Sequence, residues 1–454
     1  MNNIALSRWT MSYFVTSLAA FAIAQALMVL GYGFPQAAAA APATLALVHI
    51  VALGWLSLLL CGALFQFVPV LTAHPLHSNS LPLPTLCCLI AGTLALVCGF
   101  LQLAGDIHTG PPCFVFAAVL LAAGFGLVLW NLGRTLWAAR PLSVPARFVA
   151  AGLACLLAVL ALGIVFALVL GGALTYGPAL RLVHAGLAVH IAAGLGGWLT
   201  FTAMGVSYRL LAMFMLAPEL DGRGTRLGLA LGCGALAVAI VGGVAAIGMG
   251  VRTSRVLLIA GALALACLVF YGKDMVHLYR ARKRRKIELN SKMAMLAQAS
   301  LAAAVVLFLL SLALGRLGQL LPALVYLLAF GWLSGLGLAK LYKIVPFLTW
   351  LECYGPVLGK KPTPRVQDLV TEQGARKWFL LYFAAVWLGS AILLAGFAPL
   401  FRISAAAALF ASGGIAFHLL RARLLLDVKP ELRLPDGVRK PNILYSFSPK
   451  ASLR

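Results

Sequence analysis

Acidic residues are scarce in this chain of 454 residues: 11 Asp and Glu stand against 35 Lys and Arg. Charged residues of both signs make up only 10% of it while apolar residues make up 63%, and the mean hydropathy is +1.01. That balance excludes a soluble globular domain, which carries about 25% charged residues. The cysteines number 9, an odd count, and most are scattered through apolar stretches (Cys61, Cys87, Cys88, Cys98, Cys155, Cys233 and Cys267). No CxxC pair occurs, so neither a disulfide framework nor a thiolate metal site is indicated. The thiols read as small apolar residues.

Long hydrophobic runs are what the chain has in abundance. About 20 apolar residues carry a helix across a bilayer core roughly 30 Å thick, and with no water there to bond the backbone each such run must be helical. The runs predict spans near 9–31, 44–69, 82–104, 113–137, 146–172, 181–215, 226–248, 253–279, 291–317, 320–350, 377–399 and 403–426. The expected fold is an all-α polytopic membrane protein of about twelve transmembrane helices. Residues 1–454 form a single transmembrane domain that ends in a cytoplasmic tail, 427–454. The first span is expected to be a retained helix, because it is longer than a signal-peptide core and only Arg8 precedes it as a basic residue.

The formal net charge of +24 is distributed in a way that points to a membrane rather than to nucleic acid. Basic residues gather in alternate loops, at Arg134, Arg140 and Arg147, at Arg223 and Arg226, in Arg280-Ala-Arg-Lys-Arg-Arg-Lys286, and at Lys360, Lys361, Arg365, Arg376 and Lys377. By the positive-inside rule these loops are cytoplasmic, and even parity puts both termini on that side. The partner implied is the lipid bilayer, with headgroups against the 280–286 run.

An internal repeat organises the sequence. Gly54-Trp55-Leu56-Ser57, Gly197-Trp198-Leu199-Thr200 and Gly331-Trp332-Leu333-Ser334 lie in the second, sixth and tenth spans. Seven residues after each Trp stands a small residue (Gly62, Gly205, Ala339), and ten after it an aromatic (Phe65, Tyr208, Tyr342). Eleven after it stands a long polar residue (Gln66, Arg209, Lys343), and fourteen after it Pro69, Ala212 or Pro346. The spacing predicts three four-helix units, approximately 9–137, 146–279 and 291–426, related by a pseudo-threefold axis normal to the membrane. Helix packing accounts for most of these positions: small residues on one face let backbones approach, and Arg209 and Lys343 reach toward headgroups.

Ionisable residues inside the membrane are functional candidates, yet every carboxylate falls in a loop or at a span end, which argues against a carrier built on a buried acid. Histidine remains. His49 lies roughly 8 Å below the outer end of its span, and His184 and His190 open the sixth span, His190 roughly 14 Å below Arg181 at 1.5 Å per residue. His49 is six residues before its Trp and His190 eight before its own, so the two differ in register; Tyr326 holds the His49 place in the third copy.

With its twelve spans, its threefold repeat and its outward-placed histidines, the chain resembles the heme-copper oxidase subunit I superfamily. The resemblance implies a low-spin heme ligand at His49 and a copper-ligand place at His190 or His184. It also marks departures. Residues 226–248 carry no histidine, and the tenth span has Tyr326 and Trp332 where the family keeps a histidine pair. Oxygen reduction of the usual kind is therefore not expected. The resemblance implies a cofactor-reduced member in a bacterial inner membrane that keeps one b-type heme or none, acting around respiration, nitric oxide, or heme and metal handling. Segment 342–356 is also similar to bacterial proteins loosely called permeases. The alternatives are a permease for a small neutral or anionic solute, with Arg209, Lys340 and Lys343 at the cavity mouth, and a scaffold or assembly partner of respiratory-complex subunits.

Overall fold

The structure, a computed structural model, describes residues 7–108, 112–436 and 438–447. Twelve helices among them are long and apolar enough to cross a bilayer, and no strand occurs among the described residues. They are α1 Thr10–Leu30, α2 Pro42–Thr72, α3 Pro82–Ala104, α4 Cys113–Ala138, α5 Val144–Leu170, α6 Leu187–Met215, α7 Arg223–Gly248, α8 Ser254–Arg280, α9 Leu289–Ala313, α10 Leu317–Val357, α11 Glu372–Leu394 and α12 Ala398–Arg423. The protein is an all-α polytopic membrane protein, as its hydropathy predicts.

Local chemistry sets the helix ends. Pro42, Pro82, Pro145 and Pro399 stand in the first turns of α2, α3, α5 and α12, where a missing backbone N–H leaves no helical bond unmade. Gly31 and Gly105 close α1 and α3 at φ 82° and 84°, a left-handed conformation that glycine adopts without strain. Gly396, at φ 75°, follows α11. It places the junction with α12 a few residues earlier than hydropathy does. The sixth span also starts later than expected, because a short helix Gly177–Ala185 precedes it and the chain breaks at buried Gly186. Pro346 interrupts one hydrogen bond without ending α10.

Contacts divide the chain into two compact units, Phe67–Lys286 and the paired segments Met1–Gln66 and Ile287–Arg454. Trp55 and Trp332 belong to the two-segment unit and Trp198 to the other. Inside each unit the repeated positions explain themselves as packing. A Cβ on Gly62 would collide with Tyr13 of α1, and one on Gly205 would stand 2.6 Å from Phe148 Cβ of α5. Both glycines thus receive an aromatic residue of the preceding span. The aromatic three residues later packs on that same ring: Phe65 on Tyr13 at 5.7 Å, and Tyr208 on Phe148 at 5.3 Å between centroids. The glycine before the Trp does likewise with small residues, Gly197 against Cys155 and Gly331 against Ser300. Close backbone approach supplies the dispersion contacts that drive association where lipid is as apolar as the side chains.

Gly62→Val should therefore lower the thermal midpoint of the detergent-purified protein, at a cost of about 1–3 kcal/mol for overpacking. Gly126→Val on α4, where no atom lies within 4 Å of the added carbon, should leave it close to wild type. Thermal melts of the two variants side by side check this.

Candidate functional site

The three Trp motifs share a backbone irregularity. Ile50–Ser57, Ala192–Phe201 and Leu327–Ser334 are π-helical segments inside α2, α6 and α10. Two of them run from five residues before the Trp to two after it, and the third is one residue longer at each end. A π turn holds one residue more than an α turn and persists where packing or function requires it. In the first and third copies the exit is identical. Leu58 N–H donates to Leu53 O and Gly335 N–H to Phe330 O, each five residues back. Ser334 Oγ donates to Ala329 O at 2.7 Å, and it accepts the indole N–H of Trp55 at 2.8 Å. One hydroxyl thus completes a widened turn and ties α2 to α10.

An aromatic column runs from this bond toward the start of α10. Phe21 of α1 stacks on Trp55 with centroids 4.5 Å apart and lies 5.7 Å from Phe330. Phe330 stacks on Tyr326 at 4.8 Å, and Tyr326 meets Phe401 at 5.0 Å and Phe34 at 6.5 Å. Tyr382 of α11 donates its hydroxyl to Phe330 O at 2.8 Å, filling an acceptor that the π turn reorganises. Tyr326 is 2% exposed, and neither its hydroxyl nor the fully buried indole N–H of Trp332 has a hydrogen-bond partner among the described residues.

His49 and Tyr326 occupy equivalent places, each the last residue before its π segment. His49 is partly buried, and its Nδ1–H donates to Leu45 O at 2.7 Å. That bond leaves the imidazole lone pair on Nε2. In the other unit His184 is exposed on the short helix before α6, while His190 lies on α6 with its ring 5.3 Å from Phe166. Trp198 is 2% exposed, and Arg209 pairs with Glu219 rather than standing alone at the interface.

Toward the other end of α10, Lys340 is 6% exposed and Lys343 pairs with Glu288 at 2.6 Å. Beyond them Arg423 and Glu352, both buried, form an ion pair at 2.7 Å. Arg423 also donates to Thr349 Oγ1, Asn442 O and Tyr445 O, and Glu352 Oε1 accepts Phe447 N–H at 2.9 Å. The pair thereby binds the C-terminal segment to α10 and α12, and Ser446 N–H continues the attachment by donating to Arg8 O at 2.8 Å. Loop 365–369 is held by Arg365 and Asp368. Burial raises the Asp368 carboxyl's hold on its proton, but the Arg365 backbone N–H and guanidinium outweigh it and keep the carboxyl below its ordinary value. A depressed folded value stabilises the loop above the ordinary carboxylate range, and the stabilisation fades as pH falls through the lowered value.

Among the described residues no group of three or more His, Cys, Asp or Glu is placed to hold a metal ion. Sequence reasoning missed Phe21 and Tyr382, because a lone aromatic in an apolar helix carries no periodic signal. Glu352 stands among the carboxylates at span ends, and the only hint of its pairing in the sequence is Arg423 at the end of the last span. No protein-family model matches this chain, and the search of curated proteins finds no match either.

Arg423→Ala would leave the Glu352 carboxylate buried and unpaired, costing about 3–5 kcal/mol. It should release residues 442–447 to limited proteolysis, whereas Glu352→Leu combined with Arg423→Met should restore much of the thermal midpoint. Protease mapping together with melting curves reads both effects.

Proposed function

We propose that this protein holds one b-type heme in a bacterial cytoplasmic membrane, with both termini on the cytoplasmic side. Its architecture would be that of heme-copper oxidase subunit I, and its work would lie around respiration, nitric oxide, or heme and metal handling rather than oxygen reduction. The single observation that carries the reading is the Nδ1–H···O=C bond from His49 to Leu45 at 2.7 Å. A neutral imidazole whose Nδ1 proton is committed to a carbonyl presents Nε2 as a metal ligand, and that is how iron-binding histidines are oriented.

His49 would hold the iron through Nε2. Tyr326, in the matching register of α10, offers a phenol where a second imidazole would otherwise stand. Phe34, Phe330 and Phe401 pack on the Tyr326 ring, and the Trp55–Ser334 bond ties α2 to α10 one to two turns further along. The group itself would supply one-electron chemistry and an open coordination place for a small diatomic ligand. With no histidine in α7 or α10, the chain lacks the residues for a second, copper-bearing centre of the family's kind.

Protein purified after heme-replete expression should show a Soret band. His49→Ala should abolish it while the elution profile in detergent stays unchanged, and His184→Ala should keep it. A wild-type preparation without the band would overturn the reading.

A further inference from the structure

α6 and α8 cross the bilayer in the same direction, since one span separates them, and both belong to the unit Phe67–Lys286. The chain that leaves α8 does not run free of that end. α6 finishes at Met215, and Leu216 caps it at φ 52°, a left-handed conformation that a leucine keeps only where its surroundings hold it. The last carbonyls of a helix have no partner within it. Leu216 O accepts Lys283 N–H at 3.3 Å, and Met215 O accepts Arg284 N–H at 3.2 Å. The run Arg280-Ala-Arg-Lys-Arg-Arg-Lys286 is thereby laid across the end of α6.

The charge of that run is not met inside its unit. Arg280, Arg282, Lys283, Arg285 and Lys286 are exposed, and no carboxylate pairs with them among the described residues. The acids of the unit are Asp106, Glu219, Asp221 and Asp274. Glu219 is paired with Arg209, and Asp221 with Arg226 at 2.9 Å. Asp274 accepts the Tyr208 hydroxyl at 2.8 Å, and Asp106 follows α3 at the opposite end. Beside the run the surface is apolar. Met213 and Leu216 at the end of α6 are exposed, as is Val276, one turn before Arg280. A nucleic acid would meet the charge and leave these side chains uncovered. A molecule that is anionic at one end and hydrocarbon at the other answers both.

We infer that the run 280–286, held across the end of α6 by the Met215 and Leu216 carbonyls, is a docking site for the headgroup of an anionic phospholipid, whose chains lie against Met213, Leu216 and Val276. A basic loop alone asks only for a general attraction to the membrane surface. A run whose backbone is pinned in place selects among headgroups, and its two adjacent cation pairs, Arg282-Lys283 and Arg285-Lys286, favour a headgroup with two phosphates over one. The site lies in the unit without His49 and shares no residue with the heme reading, so either can fail alone.

Delipidated, detergent-purified full-length protein, titrated with lipid and examined by native mass spectrometry, tests the inference. The probes are tetraoleoyl diphosphatidylglycerol, dioleoyl phosphatidylglycerol, dioleoyl phosphatidylcholine and a single-stranded DNA oligonucleotide. Diphosphatidylglycerol should bind most tightly, phosphatidylglycerol next and phosphatidylcholine least, an order read on wild type alone. Arg285→Gln combined with Lys286→Gln should weaken diphosphatidylglycerol binding about thirtyfold, the worth of two cations beside a membrane surface, while the protein elutes as wild type does. Lys360→Gln combined with Lys440→Gln removes as many charges from the other unit and should leave binding unchanged. Equal binding of phosphatidylcholine by wild type, or tighter binding of the oligonucleotide than of either anionic lipid, overturns the inference. So does an unchanged affinity in the folded Arg285→Gln, Lys286→Gln protein, or an equal loss in the two double variants.

Discussion

In a bilayer an indole N–H without an acceptor is a lasting cost, and Trp55 meets that constraint through the one hydroxyl of Ser334. The rest of the two-segment unit follows from this meeting. Ser334 meets Trp55 at the last residue of the π segment of α10, and its own proton returns to Ala329 O. Phe21 covers the Trp55 ring, Phe330 covers Phe21, and Tyr326 extends the column to Phe34 and Phe401. Hydrogen bonds between membrane helices contribute only about 0.6 kcal/mol on average, because unfolded helices in lipid also find partners. The bond's importance therefore lies in fixing which residues face each other rather than in its energy.

The twelve helices were legible because a run of apolar residues long enough for a bilayer has one stable conformation there. The repeat was legible as well. Gly62 and Gly205 proved to be sockets for Tyr13 and Phe148, so a constant offset from the Trp reported a constant packing partner. The π turns were not legible, since residues such as Ile50-Val-Ala-Leu53 are equally at home in an α-helix. Nor was the tail. Residues 442–447 look like polar cytoplasmic chain, yet Arg423 draws their carbonyls inward because a buried guanidinium has five donors to satisfy.

The ionisable residues divide by depth. His49 and the phenol of Tyr326 stand just before their π segments, whereas Lys343, Glu288, Arg423 and Glu352 cluster where α10 nears its end and close into pairs. This separation leaves His49 and Tyr326 away from charged partners and gathers the ion pairs toward the other end of α10. The scarcity of acid in the whole sequence is consistent with that division, since the carboxylates of this platform are each matched to a cation or to a backbone donor.

The central claim is that Trp55 donates to Ser334 across a π-helical turn. The indole ¹⁵N–¹H resonance of Trp55, assigned in detergent by its loss in Trp55→Phe, tests it directly. In Ser334→Ala that resonance should move upfield and exchange with water faster. An unchanged shift and exchange rate in a folded Ser334→Ala protein would contradict the account.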